Sequence, residues 1–318
     1  MSALYPLLLR PEFVERPWGA RDLSPVYPEH RCEKGVGEVW LTGDQNRVAN
    51  GPLAGRTLGE LCKQYGRELV GESARETERF PLLIKFLFPR EKLSVQVHPD
   101  DEAARRVGQP CGKTECWYVL AADPGAQVAL GLKPGVTREQ LARAIQEVRA
   151  EELLNWVDIY AGEMIYVDAG TVHTIGPGSI LVETQQNSDT TYRLYDYGRA
   201  REIHVEQGLA AAKERTRAGK VKRNEGAPTL VASPSFLVEK FSLKETRSFE
   251  VAHSPQIFVV LGGTGVAEAQ GRAPVSVARG DALVVPARVA QALIHVQEEF
   301  EMLRMTLPAE SRNDGTKS

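Results

Sequence analysis

Long apolar runs, a charge excess of one sign and paired cysteines are all missing from this 318-residue chain. No stretch approaches the roughly 18 consecutive apolar residues that a membrane-crossing helix needs. The N-terminal MSALYPLLLRPEFVERPWG carries only a short apolar patch. It lacks the basic start, long apolar centre and small-residue cleavage site of an export signal. Lys and Arg number 39 against 42 Asp and Glu, intermixed, for a formal charge of −3. A nucleic-acid or membrane-surface binder would instead show a basic excess or stripe. The four cysteines, Cys32, Cys62, Cys111 and Cys116, include no C-x-x-C pair. A chain of this length buries enough surface to fold without disulfides. These absences point to a cytoplasmic globular protein with neither a nucleic-acid nor a membrane partner.

What is present is a series of short β-rich runs punctuated by Gly and Pro: 93–99, 116–122, 126–132, 163–170, 179–185, 256–263, 281–287 and 300–307. Strands of this length and spacing suggest sandwiches or barrels rather than alternating βαβ units. Helices are fewer. Thr57 and Glu60 form a capping box ahead of a helix over about 57–70. Pro99 and the acids after it open a second over about 99–108. Thr137 and Gln140 form another capping box, ahead of the longest helical stretch, about 137–158. The basic run 213–223 reads as a solvated linker, and the polar tail after Pro308 as frayed.

The chain also repeats itself. GEMIYVDAGTVH (162–173) and GDALVVPARVAQ (280–291) share their glycine and strand spacing, and ECWYVLAADPG (115–125) aligns with QIFVVLGGTG (256–265). The alignment sets Glu115 opposite Gln256 and His173 opposite Gln291. Two related β-barrel units follow, the first with ionisable groups and the second without them, so chemistry belongs in the first.

Gln96 and His98 are two apart on a strand and project from one face. Glu115 lies on a later strand, and His173 follows a further strand and a Gly-containing turn. Two imidazoles, a carboxylate and an amide oxygen compose a four-ligand divalent site. Mixed N/O ligation without thiolate suits a catalytic zinc, although iron or manganese accepts the same donors.

Segment 162–173 resembles the second cupin motif, with Asp168 in place of its usual proline, and Gln96-Val-His98 stands where cupins commonly have H-x-H. Further pieces narrow the likeness: PWG (17–19), GEVW (37–40), FLFPREKLSVQVHPDD (86–101), GKTECWYVL (112–120), AGTVHTIGPG (169–178) and ETQQNSDTTYRLYDYGR (183–199). In this order they resemble the type I phosphomannose isomerases in their short bacterial form, over most of residues 10–200.

The resemblance implies a mainly β fold of two cupin-like β-barrel (jelly-roll) domains with a few inserted helices. Residues 1–225 would form the metal-bearing domain and 226–318 a degenerate one. It implies an aldose–ketose isomerase that interconverts mannose 6-phosphate and fructose 6-phosphate through a cis-enediol. It implies one zinc ion per chain on Gln96, His98, Glu115 and His173. Arg193 matches a catalytic arginine, and Lys113 a lysine lining the substrate pocket. Glu183 and Asp189 match assisting acids, and Arg199 a basic residue that can meet phosphate. Arg193 suits anchoring or oxyanion stabilisation, since a guanidinium grips oxyanions bidentately. Glu183, Asp189, a metal-bound hydroxide and Lys113 all stand as candidates for the base. Trp18, Gly19, Glu38 and Trp40 read as structural. A cupin oxygenase and a non-catalytic sugar-phosphate sensor are the rival readings. Lys113, Arg193 and Arg199 count against the first, and the intact ligand set against the second.

Overall fold

The computed structural model describes residues 4–222, 226–251 and 253–309. They form two compact units, each built of antiparallel β-sheets. The first unit comprises Pro11–Gly43 and Leu82–Asn224. Its seven-stranded sheet runs Gly219–Lys220, Met164–Val167, Glu115–Ala122, Ser179–Gln186, Leu82–Leu87, Val36–Trp40 and Glu12–Ala20. Its five-stranded sheet runs Tyr192–Tyr195, Val95–Val97, His173–Ile175, Gln127–Leu132 and Leu154–Asp158. The mainly β, double-sheet architecture expected from the sequence is the one observed.

Strand alternation decides which side chains meet. Trp117, Val119, Ile165 and Leu181 from the seven-stranded sheet pack with Val128, Leu130 and Ile175 from the five-stranded one. Val95 and Val97 face the other way, against Leu141, Leu154 and Leu194. Gln96, lying between those two valines, is therefore turned to the interior shared by the two sheets.

The second unit comprises Met1–Arg10, Asp44–Pro81 and Glu225–Ser318. Its sheets have six and four strands. Its interior is filled by Phe241, Phe249, Phe258, Val260, Leu283, Val285, Ile294, Phe300 and Met302. The internal repeat is visible as a shared register. Glu115 pairs with Val167 and Trp117 with Ile165, while Gln256 pairs with Val285 and Phe258 with Leu283.

A single cut at 225 does not describe this division. Leu7–Leu9 adds an edge strand to Ala282–Val285, and the helix Leu58–Tyr65, closed by the expected Thr57–Glu60 capping box, also lies in the second unit. The expected helix over 99–108 is observed as Asp101–Arg106, capped by Asp100. The helix expected to reach 158 ends at Gln146. Val148 takes a φ of 62°, a 3-10 turn follows, and Leu154–Asp158 becomes a strand paired with Gln127–Leu132. Sheet pairing there overrides the helical pattern.

The basic run is not simply a linker. Gly219–Lys220 forms an edge strand on Met164–Val167, and Lys213 and Lys220 pair with Asp100 and Glu163 at 3.0 and 2.7 Å. Its last residue, Arg223, and the tail from residue 310 lie outside the described residues.

Candidate active site

Three of the four expected ligands converge in the first unit. The ligand atoms of His98, Glu115 and His173 lie within 4.8 Å of one another, and all three residues are buried. Each imidazole is fixed by a backbone carbonyl. His98 Nδ1 donates to Thr190 at 3.0 Å and His173 Nδ1 to Thr171 at 2.9 Å. Both Nε2 lone pairs are thereby turned toward Glu115, at 3.5 and 3.3 Å from its carboxylate oxygens. Such outer partners set the tautomer of a metal-binding histidine.

The turn that delivers His173 requires Gly170, whose φ is +91°. Its amide donates to the His98 carbonyl at 2.8 Å. Asp168, the residue in the usual proline position, accepts from Thr171 Oγ1 at 2.9 Å and from the Arg217 amide. It holds that turn closed.

The donor set fits a divalent ion. Neither carboxylate oxygen of Glu115 accepts a hydrogen bond of good geometry, though both are buried; the Lys113 ammonium ion-pairs with one of them at 3.0 Å. Burial pushes the Glu115 carboxyl up, with Lys113 opposing. Burial holds both imidazoles neutral, taking His173 down to about 4. An under-satisfied buried carboxylate beside two neutral imidazoles is an environment that a cation completes. Gln96 adjoins the cluster with its amide nitrogen 3.2 Å from His173 Nε2, while its oxygen accepts from Ser94 at 3.2 Å. Turning the amide over brings the oxygen to the cluster, and the Ser94 hydroxyl can then accept instead of donate.

A cavity of about 440 Å³ opens beside the cluster and is lined by Gln96, Lys113, Glu183, Asp189 and Arg193 together with Trp18, Glu38 and Lys85. Arg193 is half-buried, its Nε has no hydrogen-bond partner, and no carboxylate among the described residues pairs with it. Burial and the nearby Arg201 charge both lower its proton affinity. Its backbone is pinned on both sides by His204, which donates its amide to the Arg193 carbonyl at 2.7 Å and accepts the Arg193 amide at Nδ1. Asp189 is exposed at the cavity wall. Arg199 is not brought to this lining. Its guanidinium donates to the Lys92 carbonyl and lies 3.7 Å from the buried Asp196.

Sequence reasoning missed a buried charge network along the seven-stranded sheet. Lys85 pairs with Glu183 at 3.1 Å and Glu38 at 3.4 Å. Glu38 also accepts from Arg16 at 2.8 Å and Trp40 at 2.7 Å, and Glu183 accepts from Trp117 at 3.1 Å. A single lysine inside the apolar run LLIKFL was the available signal. Burial raises the proton affinity of Glu183, yet Lys85 and Lys113 outweigh it and hold the group ionised. For Glu38, burial is likewise outweighed by Lys85 and Arg16, which keep it well below its ordinary 4.5.

A depressed folded-state value adds stability above the unfolded value and removes it as pH falls through the folded one. Wild-type stability should therefore decline with acidification below about pH 4.5. Glu38→Gln should be less stable at neutral pH and show a flatter decline. Urea-unfolding midpoints across that range check this, and parallel curves for the two proteins would contradict it.

Fold and site together define a double-sheet β protein in which a buried His98–Glu115–His173 donor cluster of the kind that holds a divalent ion lies beside a charged cavity. A profile of the type I phosphomannose isomerase catalytic domain matches residues 8–125. Mannose-6-phosphate isomerase from Streptococcus mutans is 35% identical over 296 residues, spanning 88% of this chain and 92% of its own. Mannose-6-phosphate isomerase ManA from Bacillus subtilis is 41% identical over 218 residues, 64% of this chain and 67% of its own. The crystal structure of the mannose 6-phosphate isomerase from Bacillus subtilis superposes with a TM-score of 0.83 at 30% identity, covering 94% of this chain and 99% of that one. The chain belongs to the type I phosphomannose isomerase family.

Proposed function

We propose that this protein is a mannose-6-phosphate isomerase whose zinc ion is held by Gln96, His98, Glu115 and His173, working in the cytoplasm on mannose 6-phosphate and fructose 6-phosphate. The carrying observation is the buried His98–Glu115–His173 cluster, joined through Lys113 to a cavity lined also by Gln96, Glu183 and Arg193. No helix among the described residues is long and apolar enough to cross a membrane.

Aldose–ketose interconversion moves a proton between neighbouring carbons and passes through an anionic enediolate. A bound divalent ion supplies positive charge for the sugar oxygens as that anion develops. Glu183 is the candidate base: it lines the cavity, and Lys85, paired with it at 3.1 Å, keeps it in the unprotonated form that a base needs. Asp189, exposed at the cavity wall, is the lesser candidate, because water surrounds it. Arg193 meets the phosphate or the enediolate with a guanidinium that ion-pairs with no carboxylate among the described residues. Lys113 adds a second cation at the cavity wall.

The test couples metal analysis of the purified protein to a fructose 6-phosphate to mannose 6-phosphate assay. The expected result is about one zinc per chain, activity lost on chelation and activity restored by zinc. Full turnover in exhaustively chelated protein would defeat the metal part of this reading.

A further inference from the structure

Lys113 belongs to two places at once. It lines the cavity, yet its Nζ stands 3.0 Å from His98 Nε2 and 3.0 Å from Glu115 Oε2. Because His98 Nδ1 donates to the Thr190 carbonyl, the ring's available lone pair is on Nε2, and that lone pair accepts from Lys113. One ammonium thus engages two of the three donor atoms that would hold a divalent ion. An imidazole lone pair serves one partner at a time, and a dication and an ammonium repel. The Lys113 backbone is fixed by the hydrogen bond that its amide donates to the Pro99 carbonyl at 3.0 Å. Its four-carbon stem has the rotatable bonds to carry its head into the cavity that it already lines.

We infer that Lys113 and the divalent ion compete for His98 and Glu115, so that metal loading transfers the Lys113 ammonium from the ligand cluster into the substrate cavity. The inference rests on the reading of that cluster as the metal centre. It makes Lys113 a positioning device that links the two sites. The ion's arrival places a cation where an anionic sugar phosphate lies. By linkage, an anion that holds Lys113 in the cavity tightens the ion in return.

The experiment measures zinc affinity by chelator competition on the full-length chain, for wild type, Lys113→Met and Lys113→Gln, with circular dichroism confirming the fold. In parallel, an amine-acylating reagent reads the accessibility of Lys113 in wild type by mass spectrometry, with and without zinc. Removing the competing charge should tighten zinc at least about tenfold in both variants. Acylation of Lys113 in wild type should rise severalfold when zinc is added. Unchanged or weakened zinc affinity in folded variants would overturn the inference, as would acylation that zinc leaves unaltered. Wild-type protein that binds no zinc would instead overturn the metal-centre reading itself, and this inference with it.

Discussion

His98→Ala should abolish isomerase activity and weaken zinc binding by more than about a hundredfold, beyond the loss usual for an outer-shell change. The imidazole offers its Nε2 to the cluster while Nδ1 is spent on Thr190, so its removal deletes a donor that no neighbour replaces. The fold should survive. The apolar cores between the sheets and under the helices are built from Trp117, Val128, Ile165, Leu181, Val95 and Leu141, and none of them depends on an ion. Metal content, coupled turnover and thermal unfolding on one preparation test all three statements. Loss of cooperative unfolding would make the metal centre structural, and retained zinc would remove His98 from the ligand set.

Arg193→Ala should lower kcat/KM by roughly two to four powers of ten, the range for losing one charged contact made to a developing anion. Zinc content should not change. Stability should hold or rise slightly, because the substitution removes a half-buried cation that ion-pairs with no carboxylate among the described residues and whose Nε is unsatisfied. That combination separates a functional arginine from a structural one, whose loss would lower the melting temperature. Arg193→Lys should recover part of the activity, since an ammonium is a point charge without the bidentate fork. A raised KM with kcat intact would assign Arg193 to phosphate anchoring, and an equal fall in kcat and kcat/KM to the enediolate. Wild-type turnover in the alanine variant would remove Arg193 from the site.

Much of the site is local in the chain and therefore readable there. Gln96 and His98 share a face because strand side chains alternate, and the observed packing of Val95 and Val97 on the opposite side agrees with that rule. Both capping boxes formed where Thr57 and Thr137 placed them, because each needs only four consecutive residues. The repeat, too, was legible, since two copies of one strand–turn–strand pattern keep one register. Glu115 and Gln256 take equivalent places in it, which is why one unit carries the ionisable cluster and the other an apolar interior.

Other features depended on segments far apart in sequence. Lys85 reads as an anomaly in an apolar strand until Glu38 and Glu183, on the strands either side of it, supply its two carboxylates. Arg193 and Arg199 look alike in the chain, but Asp196 and the Lys92 carbonyl hold Arg199 while Arg193, in the cavity lining, ion-pairs with no carboxylate among the described residues. The stretch after Gln146 carries a helical pattern and becomes a strand because Gln127–Leu132 offers it a sheet edge. The sequence by itself determined the strand faces, the caps and the repeat, all of which follow from spacing over a few residues. Which charges are neutralised, which arginine stays available and where Lys113 sits were decided by the tertiary structure, because electrostatic partnership depends on distance in space and burial, not on separation along the chain.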